Sequence, residues 1–230
     1  MSVLAVLDPA VAVAHTVVAA IAHVLPTALA IVLFTVAVRL ALHPLARAAA
    51  RGEKARAVLA PKVTALRKKY EKRPEKLQEA LAEMYRKEQV SPFAGCLPLL
   101  VQIPFFSVMY RLFTTPNDLL DHTLFGVPLG LHVGGAQGAG QVAVFGVLYA
   151  GLAAVGFVNY RRARRAAAAQ PAPQPGAGLL PYLSFGSVLF ALLVPVAAAL
   201  YLLTTSAWSA AERAWLYRDG APVSAAALVG

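Results

Sequence analysis

The chain has 230 residues, 59% of them hydrophobic and only 14% charged, with a mean hydropathy of +0.62. A soluble domain carries about a quarter charged residues, so this composition excludes an ordinary water-soluble globule and makes lipid the natural solvent for the excess apolar surface. The net charge of +10 would point to nucleic acid in a soluble protein, but 13 of the 21 basic residues fall between Arg47 and Lys87 and four more are Arg161, Arg162, Arg164 and Arg165. Both clusters follow apolar segments directly, as cytoplasmic loops do, and no specific nucleic-acid partner is expected.

Residues 1–23 are Ala-rich and too short to cross a bilayer, and they are expected to form an external interfacial helix. The first basic residue is Arg39, and Asp8-Pro9 interrupts the first apolar run, so this segment lacks the pattern of a signal peptide and is expected to be retained. Residues 24–45 form the first expected span, opened by Pro26 and, after Thr27, apolar except for Thr35, Arg39 and His43. Residues 46–91 are too polar to cross and read as a cytoplasmic helical hairpin. Val63, Leu66 and Tyr70 make one apolar stripe; Leu77, Leu81, Met84 and Tyr85 make the other; Pro74 marks the turn between them. The two stripes are expected to bury on each other.

The second span, 92–113, carries Gln102 and the prolines Pro98 and Pro104. Residues 114–140 hold Asp118 and Asp121 but no Lys or Arg, the profile of an external loop. A third span, 141–160, ends in the arginine cluster, and 161–178 read as a cytoplasmic loop with a Pro- and Ala-rich linker. The apolar stretch 179–211 would be roughly 50 Å long as one helix, against a hydrocarbon core of about 30 Å. With Pro195 at its middle, it divides into two short spans, 179–195 and 196–211, followed by a cytoplasmic tail over 212–230. Spans of roughly 24 Å should thin the bilayer locally. Counting basic residues at each end places the N-terminus outside and the C-terminus inside.

The segment LAPKVTALRKKYEKRPEKLQEALAEMYRKEQVSPFAGCLPLLVQIPFFSVMYRLF, residues 59–113, resembles the central signature of the YidC/Oxa/Alb family of membrane protein insertases. It combines Leu-x-Pro and Lys-Tyr in the first hairpin arm, the Pro-x-Lys-Leu-Gln turn and the Pro-x-x-Gly-Cys-Leu-Pro entry to the second span. VRLALHPL at 38–45 is similar to the family's first core span with its single buried arginine, here Arg39, and LVPVAAALY at 193–201 to the stretch with its late proline and tyrosine. The likeness covers residues 24–212 and is to the short, actinobacterial-type members without a large periplasmic domain. The departures lie in the last span, which reads LVPVAAALYLLTTSAW where the family usually has a glycine after the proline and a Trp followed by Ser-Asn.

The resemblance implies an all-α membrane protein, a five-transmembrane-helix bundle with a cytoplasmic hairpin and a hydrophilic groove open to cytoplasm and lipid. It implies an insertase and chaperone in the bacterial cytoplasmic membrane, acting on nascent membrane proteins within the lipid bilayer, alone or beside the Sec translocon and the ribosome. Monomeric function is expected. Arg39 is then the foremost groove residue, since a charge at mid-bilayer costs about 3 kcal/mol and usually faces water or a partner; snorkelling to the inner interface is the alternative. Thr35 and His43 stand four residues to either side of it, on one helix face. Gln102, Tyr201 and Thr205 complete the candidate wall; the structural alternatives are interhelical hydrogen bonding for Gln102 and, for the last-span stripe of Tyr201, Thr204, Thr205 and Trp208, threonine bonding to its own i−4 carbonyl with the tryptophan at the interface, which is the favoured reading of that stripe.

Enzyme chemistry finds no support in the motifs. The five histidines include no H-E-x-x-H pair, no G-x-S-x-G or nucleotide-binding loop is present, and Cys96, the single cysteine, excludes an internal disulfide and a C-x-x-C site. Neither a metal nor a cofactor is expected. A small anion channel or transporter using Arg39 is the competing function class; a structural assembly factor is a third.

Overall fold

The computed structural model describes residues 7–88, 97–168 and 178–218, and for 97–102 and 180 the backbone only. Helix α1, Asp8–Ala22, opens with Asp8 and Pro9 in its first turn, where a carboxylate meets the positive helix end and a missing N–H is harmless. Helix α2 runs unbroken over Thr27–Lys69 through Pro44 and Pro61, so the first expected span and the first hairpin arm are one 43-residue rod. Its last turn holds Arg67, Lys68 and Lys69, which suit the negative end of the helix dipole. Arg73, forced out of the helical region by the following proline, separates it from α3, Pro74–Lys87.

The hairpin arms do not bury their stripes as expected. Helix α3 has no buried residue, its apolar stripe is half covered, and the salt bridge between Lys62 and Glu88 (2.5 Å) links the arms at their base. Two short arms can cover only one side of each stripe.

Helix α4 spans Leu97–Thr114 and α5 Ala139–Ala168, the latter continuing through the arginine cluster instead of ending before it. Helices α2 and α5 are each long and apolar enough to cross a membrane. The segment expected as a fourth span is a 3₁₀ helix, Leu180–Phe185, followed by the short α6, Gly186–Ala191, and a turn into α7, Val196–Leu216. Its close seat against α5 depends on Gly156, where an added Cβ would lie 2.9 Å from the Ser184 carbonyl oxygen.

The loop between α4 and α5 caps one end of the bundle. A two-stranded hairpin, β1 Thr123–Leu124 and β2 Val127–Pro128, pairs Leu124 with Val127 across a turn in which Phe125 and Gly126 both adopt positive φ. The Leu131 and Leu129 carbonyls accept from the N–H groups of Val196 and Ala197 (3.0 and 2.9 Å), satisfying the first donors of α7, which its own helix cannot. The main core lies beneath this cap: Val18, Ile31, Phe113, Leu129, Phe145, Leu152 and Val196 are all buried. Helices α2 and α7 lie side by side in parallel, and α5 packs on both α7 and the 3₁₀ segment.

Candidate functional site

Between the capped core and the basic end, α2 and α7 face each other across a polar layer. Thr35 is the last fully buried residue of α2 before Ala49, and Leu202 the last on α7, so Val36–Ala48 and Leu203–Leu216 contain no fully buried side chain. At 1.5 Å per residue the α2 part of this layer is ~20 Å deep.

Arg39 sits at its upper edge. Its guanidinium is half-buried, and Nε and Nη2 donate to the Thr205 hydroxyl at 3.4 and 3.3 Å. These contacts are long and share a single neutral acceptor, so most of the arginine's five donors are left for other groups. One turn on, His43 Nδ1 and Glu212 Oε1 lie 2.5 Å apart, and the Trp215 ring is tilted against the His43 ring (centroids 5.5 Å) with the Arg47 guanidinium 5.9 Å from its centroid. Further along, the Tyr217 hydroxyl donates to Glu53 Oε2 at 2.5 Å under Lys54, and Arg162 of α5 donates to the Ala210 carbonyl at 2.7 Å. Burial and the neighbouring Glu53 carboxylate push the Tyr217 phenol up, and burial pulls the Arg213 guanidinium down against the opposing pull of Glu53, Tyr217 and Glu212.

The expected wall residues separate into two groups. Arg39 and Thr205 meet. Thr35 instead is fully buried in the packed layer just above and donates back to the Ile31 carbonyl at 2.7 Å, while Tyr201 is buried with its ring against Phe105 and Phe113 (6.3 and 6.0 Å) and is also an electrostatic neighbour of Arg39, so it stands at the boundary between packed and polar layers. Thr204 likewise bonds its own helix at Leu200 O, 2.9 Å. The side chain of Gln102 lies outside the described residues, as does Cys96.

With this geometry in view, the comparisons with known proteins are decisive for family. The sequence matches the family described as 60Kd inner membrane protein over residues 20–222. The chain belongs to this family. Relatives named membrane protein insertase YidC include one from Janthinobacterium sp. (strain Marseille), 39% identical over 80 residues, covering 35% of this chain and 14% of the relative. Another, from Granulibacter bethesdensis, is 35% identical over 96 residues, covering 42% and 17%; one from Clostridium perfringens is 38% identical over 89 residues, covering 39% and 37%. The aligned stretch is thus well under half the length of these relatives. Family membership and the long apolar helices together make the chain an all-α membrane protein.

The polar network with Glu212, Arg213, Glu53 and Tyr217 was not read as a site from the sequence. The available signal was that Glu212 and Arg213 are the only charges of α7 and directly follow its apolar face, which the span boundary at 211 assigned to the tail.

Proposed function

We propose that this chain is a membrane protein insertase and chaperone whose working surface is the polar layer between α2 and α7, a one-sided groove closed at the loop end and open at the basic end. The single observation that carries the reading is Arg39: a charge half-buried on an apolar span, donating over long distances to the Thr205 hydroxyl with Tyr201 and the Glu212 carboxylate as its charged or polar neighbours, where full burial stops. Removing an arginine from water is costly, and the carboxylate that acts on it, Glu212, is itself engaged by His43 at 2.5 Å, so the guanidinium is not locked into a closed ion pair. A loosely held guanidinium can instead donate to the acidic or carbonyl groups of a client's polar flank.

On this reading the five spans are 24–45, 92–113, 141–160, 179–195 and 196–211, with the N-terminus outside and both basic clusters in the bacterial cytoplasm. The two arginine- and lysine-rich regions lie at the end of the bundle opposite the capping loop, which fits that orientation. The driving term is burial of the client's apolar segment at about 25 cal/mol per Å², and no nucleotide is consumed. Groove hydration and short late spans lower the cost of moving the flank. The Trp208 indole N–H, buried without a protein partner among the described residues, is a second donor in the same layer. The half-covered hairpin stripes are a contact for clients, the Sec translocon or the ribosome, and the working unit is a monomer.

The test is insertion of a short single-span client into proteoliposomes free of nucleotide, read by protease protection. The intact chain should protect the client, Arg39→Ala should slow insertion about tenfold, and Arg39→Lys should retain part of the rate. Anion efflux from the same vesicles, with no client protection, would replace this reading by the channel alternative.

A further inference from the structure

The basic end of α5 carries a second arrangement that the groove does not use. Arg162 turns inward onto the Ala210 carbonyl, but Arg161, Arg164 and Arg165 share another face and are exposed. With Phe157, Tyr160 and Ala168 they line a hollow of about 440 Å³. Arg161 lies over the Phe157 ring and Arg164 over the Tyr160 ring, each at 5.8 Å, so two of the three guanidiniums are set in place by aromatic faces. Tyr160 is itself braced by Tyr182 (5.2 Å) and Phe185 (5.8 Å) of the neighbouring segment. None of these three arginines forms a salt bridge among the described residues.

The surface around the hollow has two characters. Toward the bundle it is apolar and open: Phe157, Val158, Tyr182 and Leu183 are each at least 42% exposed. Toward the helix end it is cationic, with no carboxylate in the lining. The one ligand that matches both is a molecule with an anionic head and acyl chains.

We propose that this hollow is a binding site for an anionic phospholipid of the adjacent leaflet, the phosphate held by Arg161, Arg164 and Arg165 and the chains lying along Phe157, Tyr182 and Leu183. The inference uses only membrane residence and does not depend on the insertase reading. The hollow is a shallow depression open at the surface, so a headgroup can reach it without any rearrangement of the helix. Clusters of basic side chains next to a span recognise such headgroups, and the planar guanidinium fork suits phosphate oxygens.

The full chain, purified in neutral detergent, would be titrated with phosphatidylglycerol or phosphatidylcholine and the bound lipid counted by native mass spectrometry. A preference for phosphatidylglycerol is expected, falling about tenfold or more in the variant R161Q/R164Q/R165Q. A control, K68Q/K72Q/K76Q, removes equal charge from the hairpin and should keep the preference. The single variant Arg164→Gln, which leaves most of the cluster in place, should show a partial loss and covers a folding failure of the triple variant. Equal loss in the control would mean a diffuse field and overturn the proposal. So would an unchanged preference in both arginine variants, or full displacement of the lipid by inorganic phosphate or an acidic peptide.

Discussion

At the loop end, Val18, Ile31, Phe113, Leu119, Leu129 and Val196 each keep 2% or less of their surface, under a cap that satisfies the first N–H groups of α7. Toward the basic end, the same two helices, α2 and α7, meet through Arg39–Thr205, His43–Glu212 and Glu53–Tyr217, with no fully buried side chain between Val36 and Ala48 or between Leu203 and Leu216. The first region is close-packed and resists any change of volume; the second is held by directional polar contacts that can be exchanged for water or for another chain. One pair of parallel helices therefore supplies both a seal and an opening, and the sequence positions where packing stops define where one becomes the other.

Removing volume from the seal should have the largest effect on stability. Phe113→Ala is expected to destabilise the bundle by about 3–5 kcal/mol, read as a lowered unfolding midpoint in micelles. A cost below 1 kcal/mol would show that the loop end is not the packed half. In the polar layer the expectation is smaller: a double-mutant cycle of His43→Ala and Glu212→Gln should return a coupling of about 1 kcal/mol. Coupling as large as the Phe113 effect would erase the contrast between the halves.

The smallest effect belongs to the outer rim, where His15 Nε2 lies 2.7 Å from Asp118 Oδ1 and ties α1 to the cap. The hydrogen bond from His15 holds the exposed Asp118 carboxyl below its ordinary 3.8. Its contribution is therefore present above that unfolded value and is lost as pH falls through the lowered folded one. Hydrogen exchange of α1 should quicken slightly below about pH 4 in the parent chain. In Asp118→Asn that pH dependence should disappear, while the global midpoint stays within about 0.5 kcal/mol.

Much of the helical plan was legible because a bilayer makes hydropathy along the chain directly informative: the apolar runs after Pro26 and before Tyr160 appear as α2 and α5. Proline and charge were less reliable as boundaries. Pro44 and the change to polar sequence at residue 46 did not end α2, since one missing backbone donor in a 43-residue helix is outweighed by the bonds on either side of it, and a polar helix can continue into water. The fourth segment is 3₁₀ and short α-helix, and it lies close against α5 where Gly156 leaves room for the Ser184 carbonyl, a tertiary contact that hydropathy along the chain does not announce.

Thr35, Arg39 and His43 share a helix face by spacing alone, yet Thr35 is sealed in the core, Arg39 reaches Thr205 and His43 reaches Glu212. Periodicity says which side chains point the same way; it carries no information on what stands opposite. Membrane residence, helical class and family were determined by the sequence itself, because composition and local motifs fix the solvent and the elements a chain can form. The depth at which the core closes, and the partners of its few charges, were decided only in three dimensions, where residues more than 160 positions apart come into contact.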